Sequence, residues 1–284
     1  MKVLVTGASG FIGNYVVKEL LQLGHCVIAS SSNPEKAERK NWFGDVTYAP
    51  LNLADYDDGV NYFDFFFRPD IMIHLAWEGL PDFKGSFHMN VNLPRHKSFL
   101  QNMIRNGLRD LSVTGTCLEY GMREGALRED DPANPIVSYG IAKNELWKFL
   151  SQLQDLYPVS LKWIRLFYIY GEGQTSKSLI PQLEAALANN EPHFNMSKGD
   201  QVRDFLPAHV AAGYIVKTAM QNAFAGIVNC CSGKSVTVKQ FILNYLADRN
   251  KTISLNTGYY PYPDYEPMRF WGNNDKLKRI LNYD

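Results

Sequence analysis

Cysteine is scarce in this chain, and so is any excess of charge. Cys26, Cys117, Cys230 and Cys231 lack metal-ligand spacing, and the vicinal pair is poorly placed for a structural disulfide. They read as reduced thiols, with no metal site. Twenty-nine basic residues balance 29 acidic ones, so there is no net field to recruit nucleic acid or an anionic membrane. No window has the about eighteen uncharged apolar residues of a membrane helix, and a β-branched run stands where a signal peptide would begin. The expectation is a soluble protein of the cytoplasm, with neither nucleic acid nor membrane as partner. Internal repeats, low-complexity tracts and flexible linkers are also missing.

What is present is enough apolar material for a large core. The 284 residues suit one big domain, or one domain with a smaller lobe, and the 16 tyrosines and 16 phenylalanines fall mostly in apolar segments. Residues 2–6, KVLVT, form a short run without polar alternation, as expected for a parallel strand buried on both faces. Gly7, Gly10 and Gly13 follow, and a helix opens at Phe11-Ile12. Such a turn needs positive φ or no side chain where the backbone meets a phosphate, and the opening helix turns unpaired N–H groups toward it. The stretch is built to hold a pyrophosphate.

Further along, residues 25–30, 46–49, 71–76, 111–114 and 161–165 read as strands, with helices over 55–67, 90–107 and from Ser138 onward. The second strand ends in Ser30-Ser31-Ser32, where a dinucleotide fold usually carries an acidic residue for the ribose diol. With Lys36 and Arg39 following, this favours NADP(H), and NAD(H) stays possible. Trp77 and Glu78 open the loop at the carboxyl end of the fourth strand, where open α/β sheets bind ligands, and are expected to face substrate. After residue 171 the pattern changes: a helix over 178–189, a helix from Val210, a strand over 226–230 and a proline-broken tail.

Tyr139 and Lys143 stand one turn apart on a single helix, so phenol and ammonium project together. A tyrosine can protonate a nascent alkoxide if its pKa, near 10 when free, is pulled toward neutrality by positive charge. Lys143 would supply that charge and hold the nicotinamide ribose, and Thr116 would donate to the substrate oxygen.

Taken together, TGASGFIG, Thr116 and the Tyr139/Lys143 pair resemble the extended short-chain dehydrogenase/reductase, or NAD-dependent epimerase/dehydratase, family, over essentially the whole chain. The resemblance implies a Rossmann-type doubly wound parallel sheet with a smaller C-terminal substrate-binding lobe. The dinucleotide domain would cover 1–168 with 204–232 returning to it, and the lobe 169–203 and 233–284. It carries the catalytic set over to Thr116, Tyr139 and Lys143. Asn52 and Leu53 would touch adenine, and His74, Leu75 and Ala76 would lie under the cofactor, with His74 structural. Asn90 would support the active site, and Ser178 and Leu179 would line the nucleotide pocket. Tyr168 stands where many epimerases have an asparagine on the substrate phosphate. Arg203 would meet the diphosphate, unless it pairs with Asp204 or another carboxylate, and Arg269 is a second candidate.

Within that family, 4,6-dehydratases carry Asp-Glu where this chain has Cys117-Leu118, so the acid and base for water elimination are missing. GTCLEYG, HLAWEGL and RLFYIYGEGQ resemble reductases of nucleotide-linked 4-keto-6-deoxyhexoses, whose products enter surface polysaccharides such as O-antigen. The expectation is therefore an NAD(P)H-dependent 4-ketoreductase, with dTDP-4-dehydro-6-deoxyglucose as best substrate. An NAD-dependent 4-epimerase and a non-catalytic dinucleotide sensor stay open beside it. Family members pair through helices corresponding to 85–107 and 138–156, which implies a homodimer.

Overall fold

A computed structural model describes residues 1–281 of the chain; the expected lobe boundary at 284 lies outside the described residues. Its centre is a seven-stranded, wholly parallel sheet. The strands are β1 (Lys2–Thr6), β2 (Cys26–Ser30), β3 (Thr47–Tyr48), β4 (Ile71–His74), β5 (Asp110–Thr116), β6 (Ser160–Leu166) and β7 (Gly226–Cys230). Their order is β3-β2-β1-β4-β5-β6-β7, which reverses direction between β1 and β4. Helices α1 (Phe11–Gln22), α2 (Leu93–Arg105), α3 (Ser138–Leu153) and α4 (Ala208–Met220) cover the two faces.

The strands are apolar at nearly every position because both faces are buried. Val3 and Val5 of β1 point into a layer with Val16, Val17 and Leu20 of α1 and Ala211, Ala212 and Ile215 of α4. Leu4, between them, points the other way, into Phe99, Leu100 and Met103 of α2 and Leu146 and Leu150 of α3. This is the period-two alternation of a pleated strand, with a hydrophobic layer on each side. Gly24, at φ +74°, reverses the chain after α1, and the N–H of His25 reaches back to the Leu20 carbonyl to close the helix end.

A smaller cluster gathers Ile180, Leu183, Phe194, Met196, Phe241, Ile242, Tyr245 and Leu246. It is built from helices Leu179–Ala188 and Val238–Ala247 and the parallel pair His193–Met196 with Ser254–Thr257. Short pairs tie it to the sheet: Tyr168–Tyr170 runs parallel to Phe205–Pro207, and Gly125–Leu127 parallel to Phe270–Gly272.

Three expected elements differ. The helix over 55–67 is a single turn, Tyr62–Phe65, because Asp57 and Asn61 turn their side chains onto the backbone N–H groups of Gly59 and Asp64. Phe67 and Arg68 then take positive φ to reach β4. The fifth strand runs on to Thr116. The helix expected from 90 begins as a π-helical turn, His88–Asn92, before α2. Among the described residues no helix is long and apolar enough to cross a membrane.

Candidate active site

The carboxyl ends of β1, β2, β4, β5 and β6 open on one cavity of about 1270 Å³, which continues to the lobe at Tyr168, Ser178, Leu179, Phe205 and Phe241. This is where an open parallel sheet leaves room for a ligand, beside the point at which strand order reverses.

At one end stands the glycine turn. Gly7 takes φ +70°, and a Cβ there would lie 2.8 Å from the Ala76 N–H. Gly13 answers to packing instead, because a Cβ there would stand 2.1 Å from the Gly7 carbonyl oxygen, and only a bare backbone lets α1 sit down on the turn. Gly10 begins α1 without a side-chain cap, and Phe11, Ile12 and Gly13 border the cavity with the N–H groups of the first helical turn. An anionic group fits here, on bare backbone donors at the positive end of a twelve-residue helix. Ser30, Ser31, Ser32, Lys36 and Leu53 extend this wall. The Ser31 hydroxyl is engaged by the Tyr48 hydroxyl at 2.9 Å. Asn52 is off the wall; its side chain accepts from the Ala54 N–H at 3.0 Å and caps a turn.

Thr116 and Tyr139 reach the middle of the cavity. Thr116 is fixed by a reciprocal cap: its Oγ1 accepts from the Leu118 N–H at 3.2 Å, and its own N–H donates to Glu119 Oε1 at 2.8 Å. Glu119, fully buried, also accepts from Trp163 Nε1 at 3.0 Å and Arg165 Nε at 2.8 Å. Sequence reasoning missed Glu119, although the T-x-x-E spacing from Thr116 signals such a cap.

Tyr139 and Lys143 lie on one face of α3 and both are buried, at 7% and 1% exposure. Their electrostatics do not match the expectation. Burial pushes the Tyr139 phenol well above 10, with Glu119 and Cys117 adding to the rise and a hydrogen bond from Thr116 opposing it. Burial holds Lys143 itself down to about 7, against the pull of Glu119. The ammonium instead faces a ring, with Nζ 4.2 Å from the Trp77 centroid.

Trp77 belongs to an aromatic set the sequence did not announce. It stacks on His96 at 4.5 Å and 17°, and its N–H donates to His88 Nδ1 at 3.0 Å. His96 Nδ1 meets His74 Nε2 at 2.8 Å, and His74 Nδ1 meets Thr6 Oγ1 at 2.7 Å, so His74 ties β1, β4 and α2 together beneath the cavity. Leu75, Ala76 and Glu78 line the wall.

Besides Asn52 and Lys143, neither of which is on the cavity wall, three further expected contacts fall elsewhere. Asn90 is exposed, and the asparagine on the wall is Asn92, whose Nδ2 donates to the Glu78 carbonyl at 3.0 Å. The π turn rotates the register so that the second asparagine of Asn-Val-Asn faces inward. Arg203 is buried off the wall, paired with Glu266 at 2.9 Å and donating to the Tyr168 hydroxyl and the Val202 and Met268 carbonyls. Its partner is thus another carboxylate, since Asp204 accepts from Ser232 and Gly233. Arg269 is exposed in a separate depression with Glu124 and Ser235. Glu266, Arg95 and Lys177 are wall residues that no motif marked. Among the described residues no cluster of His, Cys, Asp and Glu could hold a metal.

Residues 3–230 match the NAD dependent epimerase/dehydratase family. The chain is 30% identical over 273 residues, 96% of its length and 99% of the relative's, to dTDP-6-deoxy-L-talose 4-dehydrogenase (NAD(+)) of Aggregatibacter actinomycetemcomitans. It is 24% identical to dTDP-4-dehydro-6-deoxyglucose reductase of Escherichia coli, over 84% of this chain and 79% of that one. Its fold superimposes, with TM-score 0.86 and 19% identity over 100% and 93% of the two chains, on a UDP-glucose-4-epimerase from Stenotrophomonas maltophila with bound NAD and formylated UDP-arabinopyranose.

Proposed function

The chain belongs to the NAD dependent epimerase/dehydratase family, and from that premise we propose that it reduces the 4-keto group of a nucleotide-linked 4-keto-6-deoxyhexose, dTDP-4-dehydro-6-deoxyglucose first. The observation that carries this reading is the single cavity in which Thr116 and Tyr139 stand between the glycine turn and the lobe. We assign the dinucleotide to the body formed by 1–168 with 204–232, and the sugar nucleotide to 169–203 and 233 onward. The relatives named for dTDP-deoxysugar oxidoreduction support the substrate class.

The backbone of Gly10, Phe11, Ile12 and Gly13 would hold the dinucleotide pyrophosphate, and Ser30 to Ser32 its adenosine end. The cofactor is NAD(H): the preference for NADP(H) read from the serines finds no support, since Ser31 already spends its hydroxyl on Tyr48 and the first-named relative is designated for NAD(+). When bound, the nicotinamide supplies the hydride. Tyr139, a phenol protonated at neutral pH and pushed further up by burial, supplies the proton to the ketone oxygen, and Thr116 Oγ1 orients that oxygen. Cys117 and Leu118 offer neither an acid nor a base for elimination: the Cys117 thiol is pushed far up by burial. Reduction without loss of water follows. We assign the reaction to the cytoplasm and, as the family resemblance implies, to a homodimer.

Mixing the protein with dTDP-4-dehydro-6-deoxyglucose and NADH, and separately NADPH, should deplete the reduced-nicotinamide absorbance one equivalent per sugar. Tyr139→Phe should lose about 100-fold or more of that rate. Sugar interconversion without net consumption would identify an epimerase. No oxidation over dTDP-, GDP-, CDP- and UDP-linked ketosugars would sink the reading.

A further inference from the structure

Lys143 is a buried ammonium whose surroundings provide little to hold it. The carboxylate acting on it, Glu119, is already claimed by Thr116, Trp163 and Arg165. What lies against it is the face of Trp77, at 4.2 Å. A cation over an indole is attracted by the negative face of the ring, most strongly where water is excluded.

That ring is itself held in place. Its N–H can only donate, so His88 Nδ1 must accept; the Asp82 carbonyl can only accept, so His88 Nε2, at 2.6 Å, must carry the proton. The two bonds select one neutral tautomer of His88. His96 stacks on the ring and is anchored through His74 to Thr6 of β1. The indole is therefore fixed from its edge and from its face by groups on β1, β4, the π turn and α2.

We propose that Trp77 is a positioning residue: its ring is the platform that seats the Lys143 ammonium beside Tyr139 and favours the charged form of the lysine. The titratable and charged groups around Lys143 are Glu119 from the turn after β5, His74 at the end of β4, His88 and His96 from the π turn and α2, and Tyr139 on α3. Burial lowers all three histidines below their ordinary value, so they are uncharged where the lysine titrates. Glu119, the Trp77 indole at 4.2 Å and, at 6.0 Å, the Trp163 indole are left to decide its charge.

The test reads the lysine directly. In protein labelled with ¹³C-lysine, the Cε resonance of Lys143, assigned by its loss in Lys143→Met, should titrate near pH 7 in the parent chain. In Trp77→Leu the midpoint should fall by roughly one unit, and in Trp77→Phe, which keeps a ring face, by less. An unmoved midpoint overturns the proposal, and so does a rise, which would mean that Trp77 only excludes water. If the leucine variant does not fold, the phenylalanine variant decides alone, and no measurable fall there overturns the proposal.

The kinetic arm rests on the ketoreductase reading. With the sugar nucleotide of that reaction, and with the Lys143 ammonium assigned to assist proton transfer from Tyr139 one helical turn away, kcat of Trp77→Leu at pH 7 should fall roughly fivefold, following the charged fraction of the lysine, with KM unchanged. A raised KM with kcat and midpoint unmoved would make Trp77 a substrate wall instead. If no ketosugar turns over, the ketoreductase reading fails while the titration still decides the role of Trp77.

Discussion

Replacing Glu119 by glutamine should be among the most damaging single changes in the chain. The carboxylate is 0% exposed and faces donors on every side: the Thr116 N–H at 2.8 Å, the Trp163 indole N–H and the Arg165 guanidinium at 2.8 Å. Arg165 is 2% exposed, its Nη1 has no hydrogen-bond partner, and among the described residues its ion pair is with Glu119. An arginine stays charged at any working pH, and removing one member of a buried pair leaves the other uncompensated, at about 3–5 kcal/mol. Glutamine keeps one acceptor oxygen and turns an NH₂ group toward the remaining donors, so its cost should fall near 3 kcal/mol. With a urea dependence of about 3 kcal/mol per molar, the midpoint should drop by about 1 M. The partner experiment is Glu119→Gln with Arg165→Met, which removes both charges, keeps an acceptor oxygen for the Thr116 and Trp163 N–H groups, and should recover part of the loss. Equilibrium urea unfolding followed by tryptophan fluorescence measures both. A glutamine variant within about 1 kcal/mol of the parent chain, or a double variant no better than the single, would refute the reasoning that this ion pair seats the turn carrying Thr116.

Gly13→Ala pushes a methyl to 2.1 Å from the Gly7 oxygen, so it should cost about 3 kcal/mol and lower Tm by about 8 °C, whereas Gly24→Ala, with open space but φ +74°, should cost only about 1 to 2 kcal/mol. Calorimetry of the two variants separates crowding from backbone strain. His74 is held down to about 3 by burial, so below pH 6.5 the unfolded chain takes up a proton that the folded chain refuses. Its stability is fully present above pH 6.5 and is lost as pH falls toward 3. Between pH 7 and 5 this should cost about 2 kcal/mol, and His74→Asn should flatten that part of the stability-against-pH curve. For Arg203→Lys, a single ammonium cannot serve Glu266, Tyr168 and two carbonyls at once, so stability should fall by about 2 kcal/mol while KM for the nucleotide-sugar stays within about twofold. A large rise in KM with unchanged stability would place Arg203 on the ligand after all.

Much of the frame was readable because it follows from local rules. A run such as KVLVT can only be a strand covered on both sides, and Val3, Leu4 and Val5 do alternate between the two apolar layers. The glycine turn was readable for the same reason, though one of its glycines answers to helix packing instead of phosphate. Residues whose partners are remote in sequence were not readable. Asp57 and Asn61 looked like helix surface until their side chains were seen to close turns on their own backbone. Asn90 and Asn92 differ only by the rotation that a π turn introduces, and nothing in Asn-Val-Asn specifies that turn.

The Tyr139/Lys143 pair shows the limit most clearly. Helical spacing correctly predicted a shared face, yet it says nothing about which charge each group feels once that face is buried. Glu119 arrives from the turn after β5 and Trp77 from the loop after β4: desolvation, with Glu119 and Cys117, sets the phenol high, desolvation brings the lysine near neutrality against the pull of Glu119, and the indole lies against its ammonium. Burial alone shifts a phenol up and an amine down, so two groups one turn apart move in opposite directions unless they are the closest charges to one another. Dry surroundings therefore make the Tyr139 phenol a weaker acid than a free tyrosine, while the charge of Lys143 rests on Glu119 and the indole, an arrangement in which the ring at position 77 matters to the chemistry without itself carrying a proton that moves.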